Sequence, residues 1–317
     1  MGFNPPAMTV ALAGNAGKYK GELPVSQLLL RGFMAGAYIA VGAALCTVCS
    51  TQVATFLGAG FGKLVAGAVF PVGLIAIVLT GMELFTGDAM LVPLAALMGK
   101  TTWGKVLRNW IWVYIGNLIG SLCYAYVMVY GPFTQGNLGT NEPNVFGMTA
   151  LSIAVGKILT YKSVGGIGLW SCFLSAIGCN FLVNVAILLG ITAQDVIGKF
   201  FGIWFPIMAF VSSGFEHCVA NMYFLPAGLW IYQLYPGLAD KIMPDGKLWN
   251  PLLHANGGLT WGDVWLWNLI PATIGNIVGG MIFIGFIYYY CFCDEFPEEH
   301  KPAAMQQSSS QTVNVSK

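Results

Sequence analysis

Charged residues are scarce in this 317-residue chain, with 14 lysines and arginines and 13 aspartates and glutamates making up 9% of it. Histidine is scarcer still, with three residues. Hydrophobic residues make up 56% of the chain, and the mean hydropathy is +0.70. Soluble globular domains do not have this composition. The sequence therefore predicts a polytopic membrane protein built from helices.

Apolar runs long enough to cross a bilayer occur six times. A crossing helix needs roughly 20 apolar residues, about twice the length of a barrel strand. The runs cover residues 27 to 50, 62 to 98, 105 to 131, 163 to 192, 196 to 232 and 262 to 293. We expect an N-terminal tail over 1 to 26, without a removable signal peptide. We also expect a membrane domain over 27 to 293 and a polar, disordered tail over 294 to 317.

The second and fifth runs are too long for one straight crossing. As continuous helices they would extend about 55 Å, against a hydrocarbon core of about 30 Å. Their middles contain glycines and polar residues, TGMELFTGD in the second run and SSGFEHCVAN in the fifth. Both runs are therefore predicted to be broken helices.

The two halves of the chain resemble each other. The pattern N-x6-GN-x2-G begins at Asn109 in the third run and again, 159 residues later, at Asn268 in the sixth. Glu83 and Glu216 lie in the breaks at matching positions. A three-span unit that is repeated in tandem inserts with opposite orientation the second time. We predict an inverted repeat of 27 to 131 and 163 to 293, with the two breaks meeting near the midplane.

Loop charges orient the bundle. Nine of the fourteen lysines and arginines fall on the side of the N-terminus, and positive charge favours the cytoplasm. We expect an integral protein of the plasma membrane with both termini cytoplasmic. The stretch from 145 to 162 is too short and interrupted to cross, and a surface helix is predicted there.

The breaks bring polar groups to membrane depth, where they usually mark a substrate or ion path. Broken helices expose backbone N–H groups and positive dipole ends, which suit an anion. Thr86 adds a hydroxyl, and His217 adds a ring that titrates near neutral pH. This site could hold a small monovalent anion and exchange a proton with it.

Structural roles compete with this hypothesis. We expect Glu83 and Glu216 to support the broken-helix ends by accepting from backbone N–H groups, since an unpaired carboxylate would repel an anion. His217 is either a satisfied core histidine or a functional group, and its place beside a break favours function. Asn180 and Asn184, on one face of the fourth run, would either hold helices together or line a pore.

The motifs GMELFTGD and GFEHCVANM resemble those of the formate/nitrite transporter family, and the resemblance extends from about Leu28 to Cys293. It implies homopentamers of an aquaporin-like, six-helix protomer, each with its own path. It further implies path-lining roles for Thr86, His217, Asn180 and Asn221. Hydrophobic constrictions are implied at Phe70, Leu74, Leu84, Phe85, Val183 and Phe210. The family also has a lysine that is proposed to attract anions, and Lys162 lies about two residues before the matching position. Asp88 is charged, whereas many relatives have an uncharged residue at that position.

The family resemblance implies transport of a small weak-acid anion, nitrite or formate before lactate, acetate or hydrosulfide. Since a bare anion crosses dry rings at high cost, we expect proton coupling through His217. The alternative is a channel for neutral solutes such as water or glycerol, although its paired Asn-Pro-Ala signatures are missing. With His254 in a loop and His300 in the tail, we expect no metal, no cofactor and no enzymatic activity. Expected partners are the anion, protons, the lipid bilayer and copies of the chain, with no nucleic acid.

Overall fold

The computed structural model describes residues 2 to 300, which fold into a bundle of helices. The helices are α1 Pro6–Glu22, α2 Val25–Ser50, α3 Val53–Leu57, α4 Ala59–Val69, α5 Val72–Thr80, α6 Phe85–Leu97, α7 Trp103–Tyr130, α8 Val145–Ser163, α9 Gly166–Thr192, α10 Val196–Ser213, α11 Cys218–Leu234, α12 Pro251–Ala255 and α13 Trp261–Glu295. Six segments of the described chain are long and apolar enough to cross a membrane: α2, α4 with α5, α7, α9, α10 and α13. The six predicted spans are confirmed.

Both predicted helix breaks are present. The first lies between α5 and α6, and the second lies between α10 and α11. Each begins with a glycine in the left-handed region, Gly81 at a φ of 75° and Gly214 at a φ of 77°. Because side chains disfavour this conformation, glycine is suited to ending the first half-helix.

Equivalent helices pack in equivalent pairs in the two halves. In the first half α2 packs on α7, and in the second α9 packs on α13. A Cβ atom at Gly116 of α7 would collide with the carbonyl of Leu29 on α2, and one at the equivalent Gly275 of α13 would collide with the carbonyl of Phe173 on α9. Small residues let membrane helices approach this closely. The inverted repeat therefore has matching close contacts.

Each half has one further helix beside its membrane spans, α1 in the first half and α8 in the second. The segment expected to be an N-terminal tail contains α1, which packs on α6. The stretch expected to form a surface helix is α8, which packs on α11 and buries Leu151, Val155 and Ile158. Glycine again permits the approach, at Gly17 against α6 and at Gly228 against α8. Of the predicted C-terminal tail, residues 301 to 317 lie outside the described part of the chain.

Candidate functional site

The two helix breaks meet at a hydrogen bond between Thr86 and His217. Thr86 Oγ1 lies 3.0 Å from His217 Nε2, although the two residues are 131 positions apart in the chain. Thr86 is fully buried and His217 is 2% exposed. The repeat predicted that these side chains would share one site, and the structure brings them into direct contact.

The second ring nitrogen of His217 determines which atom donates in this hydrogen bond. Nδ1 accepts from the backbone N–H of Ala220 at 2.9 Å, so His217 caps the start of α11. A neutral imidazole carries one N–H, and with Nδ1 acting as an acceptor that hydrogen is on Nε2. Nε2 therefore donates to Thr86 Oγ1, which leaves the threonine hydroxyl hydrogen available to another acceptor.

An asparagine from α7 holds the first break in place. Asn117 Oδ1 accepts from the backbone N–H of Phe85 at 2.9 Å. Its amide donates to the carbonyls of Glu83 at 3.0 Å and Gly32 at 2.8 Å. These bonds satisfy backbone groups that an interrupted helix leaves without partners, which is required at membrane depth.

Asn276 of α13 has the same function at the second break. Its Oδ1 accepts from the backbone N–H of Cys218 at 2.8 Å. Its amide donates to the carbonyls of Glu216 at 3.0 Å and Ala176 at 2.8 Å. Asn117 and Asn276 both belong to the repeated GN pair of the sequence pattern, which identified the two positions without their role.

The amide groups of Asn180 and Asn184 fix the backbone of Thr86. Asn180 Nδ2 donates to the Thr86 carbonyl at 3.0 Å and to the Asn276 carbonyl at 2.6 Å. Asn184 Nδ2 donates to the same Thr86 carbonyl at 3.2 Å. Of the two roles considered for this pair, the amide contacts support holding helices together.

A buried ion pair lies beside the second break. Glu216 Oε2 is 2.9 Å from Lys157 Nζ of α8. Glu216 also accepts from the hydroxyl of Tyr161 and from the amides of Asn221 and Asn268, at 3.0, 2.7 and 3.1 Å. Sequence reasoning missed Lys157, although a lysine inside an otherwise apolar helix was the available signal.

The first break has a matching lysine on α1. Lys20 Nζ lies 2.8 Å from Glu83 Oε2 and 3.0 Å from Asp88 Oδ1. Burial by itself would lower the pKa of Lys20, but the charges of Asp88 and Glu83 outweigh that effect and raise it above its ordinary value. Lys20 therefore stays positively charged. Where we expected Glu83 and Glu216 to accept from backbone N–H groups, each carboxylate pairs with a lysine.

A cavity of about 380 Å³ reaches His217 from the side of α8. We call it the α8 cavity. Its polar lining includes Lys63, Lys157 and Asn221. Phe70 and Phe210 also line it, with ring centroids 5.6 Å apart, and the Phe210 ring stacks on His217 at 5.7 Å. The Phe210 ring therefore lies against the central histidine, and the Phe70 ring packs behind it.

A second cavity, of about 360 Å³, approaches the breaks from the side of α1. We call it the α1 cavity. Leu74, Leu84 and Gly87 line it near Thr86. Its charged lining residues are Lys20, Arg31, Glu83, Asp88 and Lys199. The Thr86–His217 pair is thus located between two cavities that both contain lysine.

Three residues that the sequence predicted to line the substrate path are absent from the linings of both cavities. Phe85 packs edge-to-face on Tyr114, with ring centroids 5.0 Å apart. Val183 is buried in the apolar core. Lys162 Nζ pairs with Asp263 at 2.8 Å, while Lys157 lines the α8 cavity. The constriction and anion-attracting roles of these residues stay predictions.

Two broken helices that meet at a buried polar pair between two cavities define a membrane channel or transporter for small solutes. The model of the formate/nitrite transporter family matches residues 7 to 290. The chain belongs to the formate/nitrite transporter family and is a transport protein rather than an enzyme.

Named relatives align over most of the chain. A probable formate transporter of Methanothermobacter thermautotrophicus is 38% identical, covering 92% of this chain and 98% of its own. The formate channel BtFdhC of Bacillus thuringiensis is 35% identical, covering 92% and 97%. Among solved structures, a pentameric formate channel with formate bound is similar with a TM-score of 0.65 at 30% identity, covering 84% of this chain and 97% of that one.

Proposed function

We propose that the protein transports formate, with nitrite as the second candidate, together with a proton. The observation that carries this proposal is the buried hydrogen bond between Thr86 Oγ1 and His217 Nε2, between two cavities. This pair offers a donor to a small anion and an oxygen to the hydroxyl of its conjugate acid. The names of the relatives, which are formate channels and transporters, support the same substrate.

Positive charge in both cavities favours the arrival of an anion. Lys63 and Lys157 line the α8 cavity, and Lys20, Arg31 and Lys199 line the α1 cavity. Clefts lined by one sign of charge raise the local concentration of oppositely charged ions, as in the α8 cavity. In the α1 cavity Glu83 and Asp88 offset two of the three positive charges, so the attraction is weaker there. In our proposal Lys157 attracts the anion at the α8 cavity, where Lys162 was the sequence-based candidate.

The apolar side chains between the cavities favour a neutral cargo. Phe70 and Phe210 line the α8 cavity together with His217, and Leu74 and Leu84 line the α1 cavity together with Gly87, the neighbour of Thr86 in the chain. A charged carboxylate loses its hydration there, whereas the neutral acid needs only hydrogen-bond partners. Passage of formic or nitrous acid is electroneutral, because one proton accompanies each anion.

The hydrogen bonds of His217 specify how it takes part in proton coupling. Protonating Nδ1 would break the cap on Ala220, so the bonds favour a neutral ring. In this proposal His217 orients the Thr86 hydroxyl, and the pair binds the neutral acid as it crosses. The proton joins the anion in a cavity, before the constriction.

We also propose a homopentamer in the plasma membrane. The similar solved structure is a pentameric formate channel, and it supports the assembly. Exposed apolar side chains such as Phe205 on α10 and Ile274 on α13 suit contact with lipid or a neighbouring copy. The excess of positive charge on the side of the membrane that holds the N-terminus supports cytoplasmic termini. In our proposal the α1 cavity therefore faces the cytoplasm.

Stopped-flow uptake into proteoliposomes with an internal pH dye tests the function. Formate, nitrite and lactate are compared for the wild type, for His217→Ala and for the loop control His254→Ala. We expect saturable formate uptake with internal acidification, lost in His217→Ala and kept in His254→Ala. Formate uptake without acidification would rule out proton coupling. Water or glycerol flux without any anion uptake would favour the neutral-solute channel.

A further inference from the structure

Asp88 breaks the symmetry between the two charged networks. It follows Glu83 by five positions, as Asn221 follows Glu216. On the α8 side, Asn221 donates a hydrogen bond to Glu216, so one lysine balances one carboxylate. On the α1 side, the matching residue is a second carboxylate that shares Lys20 with Glu83. The two charged networks therefore differ by one ionisable group, Asp88 in place of Asn221.

The surroundings of Asp88 leave its carboxyl group short of partners. The residue is 1% exposed and lines the α1 cavity. Within residues 2 to 300, no backbone or amide group donates to either carboxyl oxygen, and the cation that they contact, Lys20 at 3.0 Å from Oδ1, is shared with Glu83. Glu83 accepts a direct hydrogen bond from the same lysine at 2.8 Å. Two carboxylates beside one ammonium group do not both ionise freely, and Asp88 is the less stabilised as an anion.

Other charged or titratable groups face the same cavity and are already engaged. They are Tyr19 and Lys20 on α1, Arg31 on α2, Glu83 in the break and Lys199 on α10. Arg31 donates to Gln27 and Tyr19, and Lys199 donates to the carbonyl of Gly190. From α7, Trp110 donates to the backbone carbonyl of Asp88 and leaves its carboxyl group untouched. Asp88 is therefore the acid most available to a cargo in this cavity.

We propose that Asp88 is the group that exchanges a proton with the cargo in the α1 cavity. An anion that enters there takes the proton from the Asp88 carboxyl, so that neutral acid and an Asp88 carboxylate result. The cavity water then returns a proton to Asp88. In the opposite direction, the arriving acid gives its proton to the carboxylate and leaves as the anion, and the Asp88 carboxyl then releases that proton to the cavity water. Asn221 cannot titrate, so the α8 cavity has no equivalent step.

This inference rests on the proposed proton-coupled transport, and it makes the two faces respond differently to pH. The proton occupancy of Asp88 follows the pH of the α1 side and reaches a limit once the carboxyl group is fully protonated. Transport should therefore rise and then level off as that side is acidified. The response to pH on the α8 side should follow the concentration of free acid alone.

The test measures formate uptake in membrane vesicles of both orientations, from a host without formate transport of its own. The pH of the bath is varied for the wild type, Asp88→Asn, Asp88→Glu and the exposed acid control Glu22→Gln. With the α1 cavity facing the bath, we expect Asp88→Asn to lose the plateau and to transport roughly tenfold or more slowly near neutral pH. Asp88→Glu should keep a plateau, and Glu22→Gln should match the wild type.

Three outcomes distinguish the role of Asp88 from the proton-coupled transport on which it rests. If Asp88→Asn changes the pH profile in one vesicle orientation and leaves the other unchanged, Asp88 is the exchange group. If the wild type acidifies the lumen and Asp88→Asn keeps its pH profile, the role of Asp88 is overturned while the transport function stands. If the wild type moves formate without any pH change, the proposed proton coupling itself fails. Elution of Asp88→Asn at the wild-type size controls for folding.

Discussion

Asn117 and Asn276 make the same set of hydrogen bonds at the two helix breaks, 159 residues apart. Each accepts from the first N–H after its break and donates to the carbonyl of the glutamate in the break. Each also donates to a neighbouring span, at the carbonyl of Gly32 or Ala176. One side chain thus replaces the hydrogen bonds that the interrupted helix has lost.

Replacing Asn117 or Asn276 should destabilise the protein more than a polar substitution in a loop does. Asn276→Ala leaves the N–H of Cys218 and the carbonyls of Glu216 and Ala176 without their partner. Each buried unsatisfied group costs about 1–3 kcal/mol. Thermal denaturation in detergent should show a clear drop for Asn276→Ala, while the loop variant Asn256→Ala stays near the wild type. Equal melting temperatures for the two variants would show that Asn276 does not stabilise the second helix break.

The sequence predicted the backbone better than the partners of the buried charges. Repeated glycines and acids inside two overlong apolar runs located both breaks, because helix interruption depends on local residues. The lysines were missed because their pairing depends on tertiary packing. Lys20 and Glu83 are 63 positions apart, and Lys157 and Glu216 are 59 apart. Helices α1 and α8 are too polar or too short to be recognised as part of a membrane bundle.

The pair of Lys157 and Glu216 provides a test that separates stability from transport. Removing one partner of a buried pair typically costs about 3–5 kcal/mol, and the partial exposure of Lys157 reduces that cost here. Lys157→Met should therefore melt lower than the exposed control Lys247→Met. The double variant Lys157→Met with Glu216→Gln should recover much of the stability, because no unpaired charge remains.

Transport should not recover with stability in that double variant. The α8 cavity loses one of its two lining lysines, and an anion is then attracted less strongly. Initial rates of formate uptake at low salt should stay well below those of the wild type, with the difference shrinking as salt screens the charge. A double variant that is both stable and fully active would show that Lys157 has only a structural role.

The hydroxyl group of Thr86 should affect formate uptake more than the size of its side chain does. Thr86→Val keeps the shape but removes the acceptor for His217 Nε2, whereas Thr86→Ser keeps the hydroxyl. A lost hydrogen bond of about 1.5 kcal/mol corresponds to roughly tenfold in rate. We expect formate uptake to fall roughly tenfold or more in the valine variant and to stay within severalfold of the wild type in the serine variant. Similar rates in both would exclude a role for the hydroxyl.

Widening the constriction between Phe70 and Phe210 should reduce the selectivity of transport before it reduces the transport rate. Phe70 packs edge-to-face on Phe210 beside His217, and Phe70→Ala would open space where the two cavities approach each other. Water can enter such a space, which lowers the cost of passing a hydrated ion or a larger acid. The ratio of lactate to formate uptake should rise in Phe70→Ala, and a current should accompany formate because some anion crosses unprotonated. The exposed control Phe56→Ala should keep electroneutral uptake and the wild-type ratio. If Phe70→Ala still excludes lactate and carries no current, then the Phe70 ring does not set selectivity against larger and charged solutes.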